Sequence, residues 1–218
     1  MNPNYWNNEG ATKTFTHELL QEWIEDIPLE TNVLDFGCGY GRITRQLYDR
    51  GYKNIVGYDP SSTMISRAIV ENFGPQYTSN VEDISQYSYG LVICFALFTS
   101  CPEPKAQDEI KKIIEEHTQI QSYLYISDYL TSINPHYSEK YLQRQLGIYG
   151  CFGSKETVIF RHHNDDHFSK LFSAWRQIYS RNIEGKTLNG NIINITQLLY
   201  KKLTRRHTRT RQESGPVS

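Results

Sequence analysis

Several things that would narrow the reading of this 218-residue chain are scarce or missing. Cysteine is sparse: Cys38, Cys94, Cys101 and Cys151 are scattered and form no C-x-x-C pair, which excludes a disulfide framework and gives no metal-site spacing. They are expected to be reduced thiols. Long apolar runs are also missing, the longest being the eight residues from Leu91 to Phe98, against the roughly 18–20 needed to cross a bilayer as a helix. The opening MNPNYWNNEG has neither the basic nor the apolar stretch of a secretory signal, so the chain is expected in the cytoplasm, without a membrane partner. An excess of one charge is lacking too, at net −1. That balance hides an asymmetry. Residues 201–218 carry six basic residues (Lys201, Lys202, Arg205, Arg206, Arg209 and Arg211) against Glu213, and the other 17 basic and 23 acidic residues leave positions 1–200 at −6. A basic tail could hold nucleic acid or simply be a solvated terminus, and the acidic body speaks against a nucleic-acid-binding face. Residues 1–203 are expected to form one domain and 204–218 a disordered tail.

What is present is an alternation of short β-rich runs with helical patterns, the mark of βαβ units and a mostly parallel sheet. Phe15, Leu19, Leu20, Trp23, Ile24 and Ile27 recur at helical spacing before Pro28 and predict an amphipathic helix. Strands are predicted at Asn32–Phe36, Ile55–Asp59, Gln76–Ser79, Gly90–Phe95 and Tyr123–Asp128, with helices over 42–50, 61–73 and 105–121. The continuously apolar run after Gly90 belongs in mid-sheet, buried on both faces. After position 128 the alternation breaks. A helix over 136–146 and strands Ile148–Gly153 and Thr157–Arg161 around Gly153-Ser154-Lys155 predict an inserted lid over 130–163. A helix near 165–175 and strands near 177–183 and 192–201, joined through Asn189-Gly190-Asn191, predict a closing antiparallel hairpin. The expected fold is α/β, a doubly wound, Rossmann-like, mostly parallel seven-stranded sheet.

The informative stretch is Val33-Leu34-Asp35-Phe36-Gly37-Cys38-Gly39-Tyr40-Gly41-Arg42, a strand running through three alternating glycines into a helix. Such glycines let the backbone turn tightly and approach a ligand closely. Asp59, ending the next strand, is placed to accept both hydroxyls of a ribose, or else to cap the helix after Pro60. The spacing G-x-G-x-G departs from the dinucleotide pattern G-x-G-x-x-G. Asp35, two residues before the first glycine, would sit poorly beside a pyrophosphate but well beside a cationic amino-acid cofactor. That combination predicts S-adenosylmethionine.

VLDFGCGYGRIT and IVGYDPSSTMISRA resemble the first two motifs of class I S-adenosylmethionine-dependent methyltransferases. LFTSCPEPKAQDEIKKI, YLYISDYL, VIFRHHND and TLNGN are similar to a group of small-molecule enzymes of that class, so the resemblance spans roughly residues 1–200. It implies that Gly37, Gly39 and Gly41 line the methionine and ribose portion of the cofactor and that Asp59, followed by Pro60, takes the ribose. It further implies that Asp83 and Ile84 flank the adenine and that the residues from Phe95 to Leu97 lie beside the methyl-transfer region. Two departures stand out. HTQIQSY replaces the usual Leu-x-Pro-Gly-Gly turn before the fifth strand, and Phe95-Ala96-Leu97-Phe98 replaces Asn/Asp-Pro-Pro-aromatic, which speaks against methylation of a nucleobase amine.

Methyl transfer from a sulfonium is an in-line displacement, so the protein chiefly holds the reacting atoms about 3–3.5 Å apart and aligned; a base is optional. His162 and His163 are the first candidates for such a base, with Asp128 at the end of the fifth strand as another. Arg161 could hold an anionic acceptor, and Tyr129 and Tyr149 belong to an aromatic crowd around the insertion that suits either an acceptor pocket or ordinary lid packing. His162 and His163 could equally be structural. Adjacent histidines in a strand point to opposite faces, so no metal site is expected. Tyr5 and Trp6 either close over the cofactor or pack under the first helix. The expected activity is methylation of an oxygen or nitrogen of a small-molecule acceptor. Methylation of RNA or protein, and a non-catalytic cofactor-binding domain, are the alternatives.

Overall fold

The computed structural model describes residues 3–153, 158–186 and 190–203. The basic tail and the turn residues Ser154, Lys155 and Asn189 lie outside the described residues. Strands β1 (Val33–Phe36), β2 (Ile55–Tyr58), β3 (Gln76–Thr78), β4 (Tyr89–Phe95), β5 (Thr118–Tyr129), β8 (Trp175–Lys186) and β9 (Ile192–Lys202) form a seven-stranded sheet in the order β3-β2-β1-β4-β5-β9-β8. The first five run parallel, and β8 and β9 are antiparallel additions. The order reverses between β1 and β4, and in open sheets of this kind ligands bind at that switch point, outside the carboxyl ends of the strands.

Alternation along each strand sends neighbouring side chains to opposite faces. Leu34, Phe36, Val92, Cys94, Leu124 and Ile126 pack on one face against Ile110 and Ile114 of α5 (Pro104–Glu116) and Phe168 of α7 (His167–Leu171). Val33, Leu91, Ile93 and Tyr125 pack on the other against Ile43 and Leu47 of α2 (Arg42–Arg50), together with Leu19, Ile24 and Ile27. Both faces are thus covered, which accounts for the unbroken apolar run of β4. All four cysteines are free and buried. Among the described residues no helix is long and apolar enough to cross a membrane.

The helix predicted over 15–27 does not form. Residues 13–20 are extended, and only Gln21–Ile24 makes a single 3-10 turn. Side chains from elsewhere take the backbone groups a helix would use: Tyr40 Oη accepts from Phe15 N, Tyr125 Oη accepts from Leu20 N, and Gln197 Nε2 donates to the Glu18 carbonyl. The burial of this segment has a period of two, with His17 and Leu19 inside and Thr16 and Glu18 outside. An unforeseen short helix, α1 (Pro3–Asn7), precedes it. The helix predicted to reach 121 ends at Glu116, and β5 begins at Thr118. Lys202 Nζ closes that helix by donating to the carbonyls of Glu115 and Thr118, so no Pro-Gly-Gly turn is needed. The insertion holds α6 (Pro135–Tyr141) and a separate antiparallel pair, β6 (Cys151–Gly153) and β7 (Ile159–Arg161). The two other helices of the main body are α3 (Ser62–Glu71) and α4 (Val81–Ile84).

Candidate active site

The three glycines of the turn after β1 all have positive φ, 85° at Gly37, 53° at Gly39 and 81° at Gly41, a region that L side chains enter at a cost of roughly 1–2 kcal/mol per residue. A Cβ on Gly37 would come within 2.7 Å of Leu97, and one on Gly41 within 2.7 Å of the Tyr77 hydroxyl. Gly39 differs, since a Cβ there would meet nothing within 4 Å. That emptiness is the floor of a cleft of about 420 Å³, open to solvent and lined by Gly37, Gly39, Asp59, Pro60 and Phe95, with Trp6 and Phe15 from the N-terminal segment.

Asp59 joins the two halves of this cleft. Its carboxylate accepts from Gly39 N at 3.0 Å and from Ser61 N at 2.9 Å, and burial pushes its pKa up to about 6 against the pull of those donors. The N-cap of α3 is Ser61, whose side chain accepts from Met64 N, so capping is not the task of Asp59. Asp35 is fully buried, with Oδ2 accepting from Thr44 Oγ1 at 2.6 Å and Oδ1 unpartnered. Burial raises its pKa to about 6 too, opposed by the Thr44 hydrogen bond. The Asp59 carboxylate on the cleft, the buried Asp35 carboxylate behind the glycine turn and a glycine cradle open on one side fit a cofactor with a cationic amino-acid end and a ribose.

The N-terminal segment closes one wall. Asn7 Oδ1 accepts from Ser61 Oγ and Thr63 N, and Arg67 donates to the carbonyls of Ala11 and Lys13. Trp6 therefore lines the cleft, and Tyr5 is buried between Trp6 and Phe160 of the insertion.

Other expected site residues do not line this cleft. Asp83 and Ile84 do not line the cleft. Asp83 accepts from Thr78 Oγ1 at 2.5 Å, and Ile84 is wholly buried in the core, because the short helix α4 turns it under the sheet. His162 and His163 do not line it either. His162 Nδ1 pairs with the Tyr141 hydroxyl at 2.7 Å within a shell of Tyr129, Tyr137 and Phe152. His163 stacks on His167 and meets Gln107 at 3.1 Å. Burial, and then Lys140, pulls His162 down to about 3, and burial holds His163 well below its usual range, so both rings are uncharged at neutral pH. Asp128 is buried and accepts from the backbone N–H groups of Phe98, Thr99 and Tyr129, with burial raising its pKa to about 7. It anchors the turn after β4, whose Ala96, Leu97 and Ser100 line the cleft. Arg161 donates to the Pro102 carbonyl at 3.4 Å, and Tyr149 is half exposed against Tyr141, neither of them on the cleft. Tyr129 does lie beside it, packed with Ala96, Tyr137, Tyr141, Phe152, Ile193 and Ile195 over the ends of β4 and β5.

The sequence profile of a methyltransferase domain matches residues 8–181. The chain belongs to the methyltransferase-domain family. Family membership makes it an enzyme that transfers methyl groups with S-adenosylmethionine as donor. No curated protein matches the sequence. Among solved structures, this methyltransferase is similar to an S-adenosylmethionine-dependent methyltransferase from Methanosarcina mazei, at 24% identity over 86% of this chain and 99% of the other, with a TM-score of 0.74. It is also similar to magnesium protoporphyrin IX methyltransferase from Synechocystis with bound S-adenosylhomocysteine (17%, 92% and 97%, 0.61). A third likeness is to the N-methyltransferase NodS from Bradyrhizobium japonicum with the same ligand (12%, 93% and 99%, 0.60). At these identities the likeness is one of fold. Sequence reasoning missed His17, Arg42, Phe15 and Met64 around the cleft. Of these, His17 had a signal, since Phe15-x-His17-x-Leu19 alternates as a buried strand does. The positive φ of 54° at Ala96 had none, because strain at a non-glycine residue is invisible until the chain is folded.

Proposed function

We propose that this methyltransferase transfers the methyl group of S-adenosylmethionine to an oxygen or nitrogen of a small molecule, with Gly37, Gly39, Asp35, Asp59 and Pro60 holding the donor. The observation that carries the reading is the cover over the ends of β4 and β5. Tyr129, Tyr137, Tyr141, Phe152 and Phe160 pack with Phe15 into an aromatic layer beside the cleft. Rings with polar ends suit a flat or amphipathic ligand. One similar solved structure, magnesium protoporphyrin IX methyltransferase, is named for a flat small-molecule acceptor, and another, NodS, for transfer to nitrogen.

When bound, the donor supplies an electrophilic methyl group. The chain's part is to orient and enclose. Asp59 receives the ribose hydroxyls while staying fixed by Gly39 N and Ser61 N; Asp35 presents its free Oδ1 towards positive charge; Trp6 and Phe15 exclude water. Asp128 keeps the turn from Ala96 to Ser100 in place through its three backbone donors.

The test is calorimetric titration with S-adenosylhomocysteine, followed by turnover with methyl-labelled donor in an extract split by molecular size. Micromolar binding and label in the low-molecular-mass fraction are expected. Label confined to RNA or protein would overturn the acceptor assignment.

A further inference from the structure

Polar groups beside the cleft remain without partners. His17 is 6% exposed, and neither ring nitrogen has a hydrogen-bond partner. The Tyr129 hydroxyl, on a residue 4% exposed, is likewise buried and unpartnered. The two rings lie 5.8 Å apart. His17 stacks on Phe95 at 4.4 Å, and the Arg42 guanidinium lies 5.1 Å from the centre of the same ring. Phe95, like Phe15 two residues before His17, lines the cofactor cleft. Buried polar atoms are nearly always paired, and leaving one unmade costs about 1–3 kcal/mol. Two adjacent orphaned side chains against the wall of a cofactor cleft therefore point to a ligand that satisfies them.

The chemistry of that ligand follows from what the groups can offer. Burial, and then the charge of Arg42, holds His17 down to about 3, so the imidazole is neutral and a poor base for a hydroxyl or an ammonium. A neutral imidazole still donates one N–H, and a phenol donates its O–H. Arg42 acts on both His17 and Tyr129, Asp128 acts on Tyr129 more strongly than Arg42 does, and Asp35 acts on Arg42. The Asp128 oxygens are taken by the backbone N–H groups of Phe98, Thr99 and Tyr129, so what remains to meet a ligand is two neutral donors with the Arg42 cation beside them, which suit an oxygen that is already an anion.

We propose that His17, Tyr129 and Arg42 form the acceptor subsite, and that its acceptor is a flat, largely apolar molecule presenting an anionic oxygen, either a carboxylate or a phenolate. This rests on the methyl-transfer reading above. A lone pair of the acceptor oxygen forms the new O–CH₃ bond as the C–S bond breaks, and the electron pair of that bond stays on sulfur. The anion and the sulfonium cancel; a carboxylate arrives already ionised and a phenol gives its proton to water before it binds, so no proton moves in the transfer itself.

The experiment uses the full-length protein saturated with S-adenosylhomocysteine, titrated with 2-naphthoate, 2-naphthol and the neutral 2-naphthamide. Naphthoate or naphthol is expected to bind at least tenfold more tightly than the amide. Tyr129→Phe and His17→Phe should each lose about tenfold of that affinity, with S-adenosylhomocysteine affinity within twofold of the parent. Tyr129→Phe, which removes an unpartnered buried hydroxyl, should unfold at no lower temperature than the parent, and it carries the test alone if His17→Phe does not fold. Methyl-labelled donor then separates the two sources: label released by alkali marks a carboxylate ester, and label stable to alkali a phenol ether. Equal affinity for the amide overturns the subsite, as does unchanged affinity in the variants or no probe binding at millimolar concentration while S-adenosylhomocysteine still binds. Failure of S-adenosylhomocysteine to bind the parent overturns the methyl-transfer reading instead.

Discussion

Replacing Asp59 by alanine separates two roles that one carboxylate performs. In the free protein the side chain accepts from Gly39 N at 3.0 Å and Ser61 N at 2.9 Å, tying the glycine turn to the start of α3. Hydrogen bonds to a charged group are worth about 1.5–3 kcal/mol each. Asp59 is only partly buried, so water replaces much of what is lost, and we expect a net destabilisation of about 2 kcal/mol. For a domain of this size that lowers Tm by about 4–8 °C. The second role appears only with ligand, when ribose hydroxyls lose their acceptor; that loss, about 1–3 kcal/mol, weakens S-adenosylhomocysteine binding by roughly 5- to 150-fold. Asp59→Asn, which keeps one carbonyl acceptor, should fall between alanine and the parent in both measurements. Thermal unfolding and calorimetry on the same preparations read the two effects independently. A variant that unfolds early but binds within twofold of the parent would leave Asp59 a purely structural tie and refute its assignment to the ribose.

Three further outcomes are expected. Asp35 and Asp59 both have pKa values raised to about 6; the donor requires them ionised, so S-adenosylhomocysteine affinity should be flat above pH 7 and fall below pH 6 by about tenfold per unit for each group, as calorimetry across pH 5–8 would show. His162 is neutral in the fold with its pKa lowered to about 3, so its contribution is fully present above the unfolded value near 6.5 and is lost as pH falls towards 3, at about 1.4 kcal/mol per unit; urea unfolding of His162→Gln at pH 7 and pH 5 should show a slope smaller by one proton, while a large loss of turnover at pH 7 in a folded variant would restore its catalytic candidacy. Gly39→Val should destabilise the free protein chiefly by its backbone strain, since a Cβ there meets nothing within 4 Å, yet abolish calorimetric binding by filling the space the ligand needs; retained binding would show that the cleft is not the donor site.

The parallel sheet, the glycine turn and Asp59 were legible because each is written in local chemistry: alternation, left-handed turns that require glycine, and an acid at a strand end. The closing hairpin and the insertion were legible as breaks in that alternation. The N-terminal segment was not. Leu19, Leu20, Trp23, Ile24 and Ile27 do have helical spacing, but Tyr40, Tyr125 and Gln197 hold the backbone extended from 25 to 179 positions away, and tertiary bonds of that kind override a local preference. The same error hid His17, which a helix would have turned to solvent. His162 and His163 misled for the opposite reason: their sequence position beside the ligand-binding edge is right, but the aromatic shell around them turns their rings away from the cleft.

The N-terminal segment also couples the two halves of the site. Residues 5–20 carry Trp6 and Phe15 on the donor cleft and His17 beside Tyr129, and they are pinned at both ends, to α3 through Asn7 and Arg67 and to the sheet through Tyr125 and Gln197. One continuous stretch of chain thus borders the donor cleft and forms part of the wall behind it, so a substitution at either anchor should shift both donor and acceptor affinity, where a change confined to one side of the cleft should shift only one.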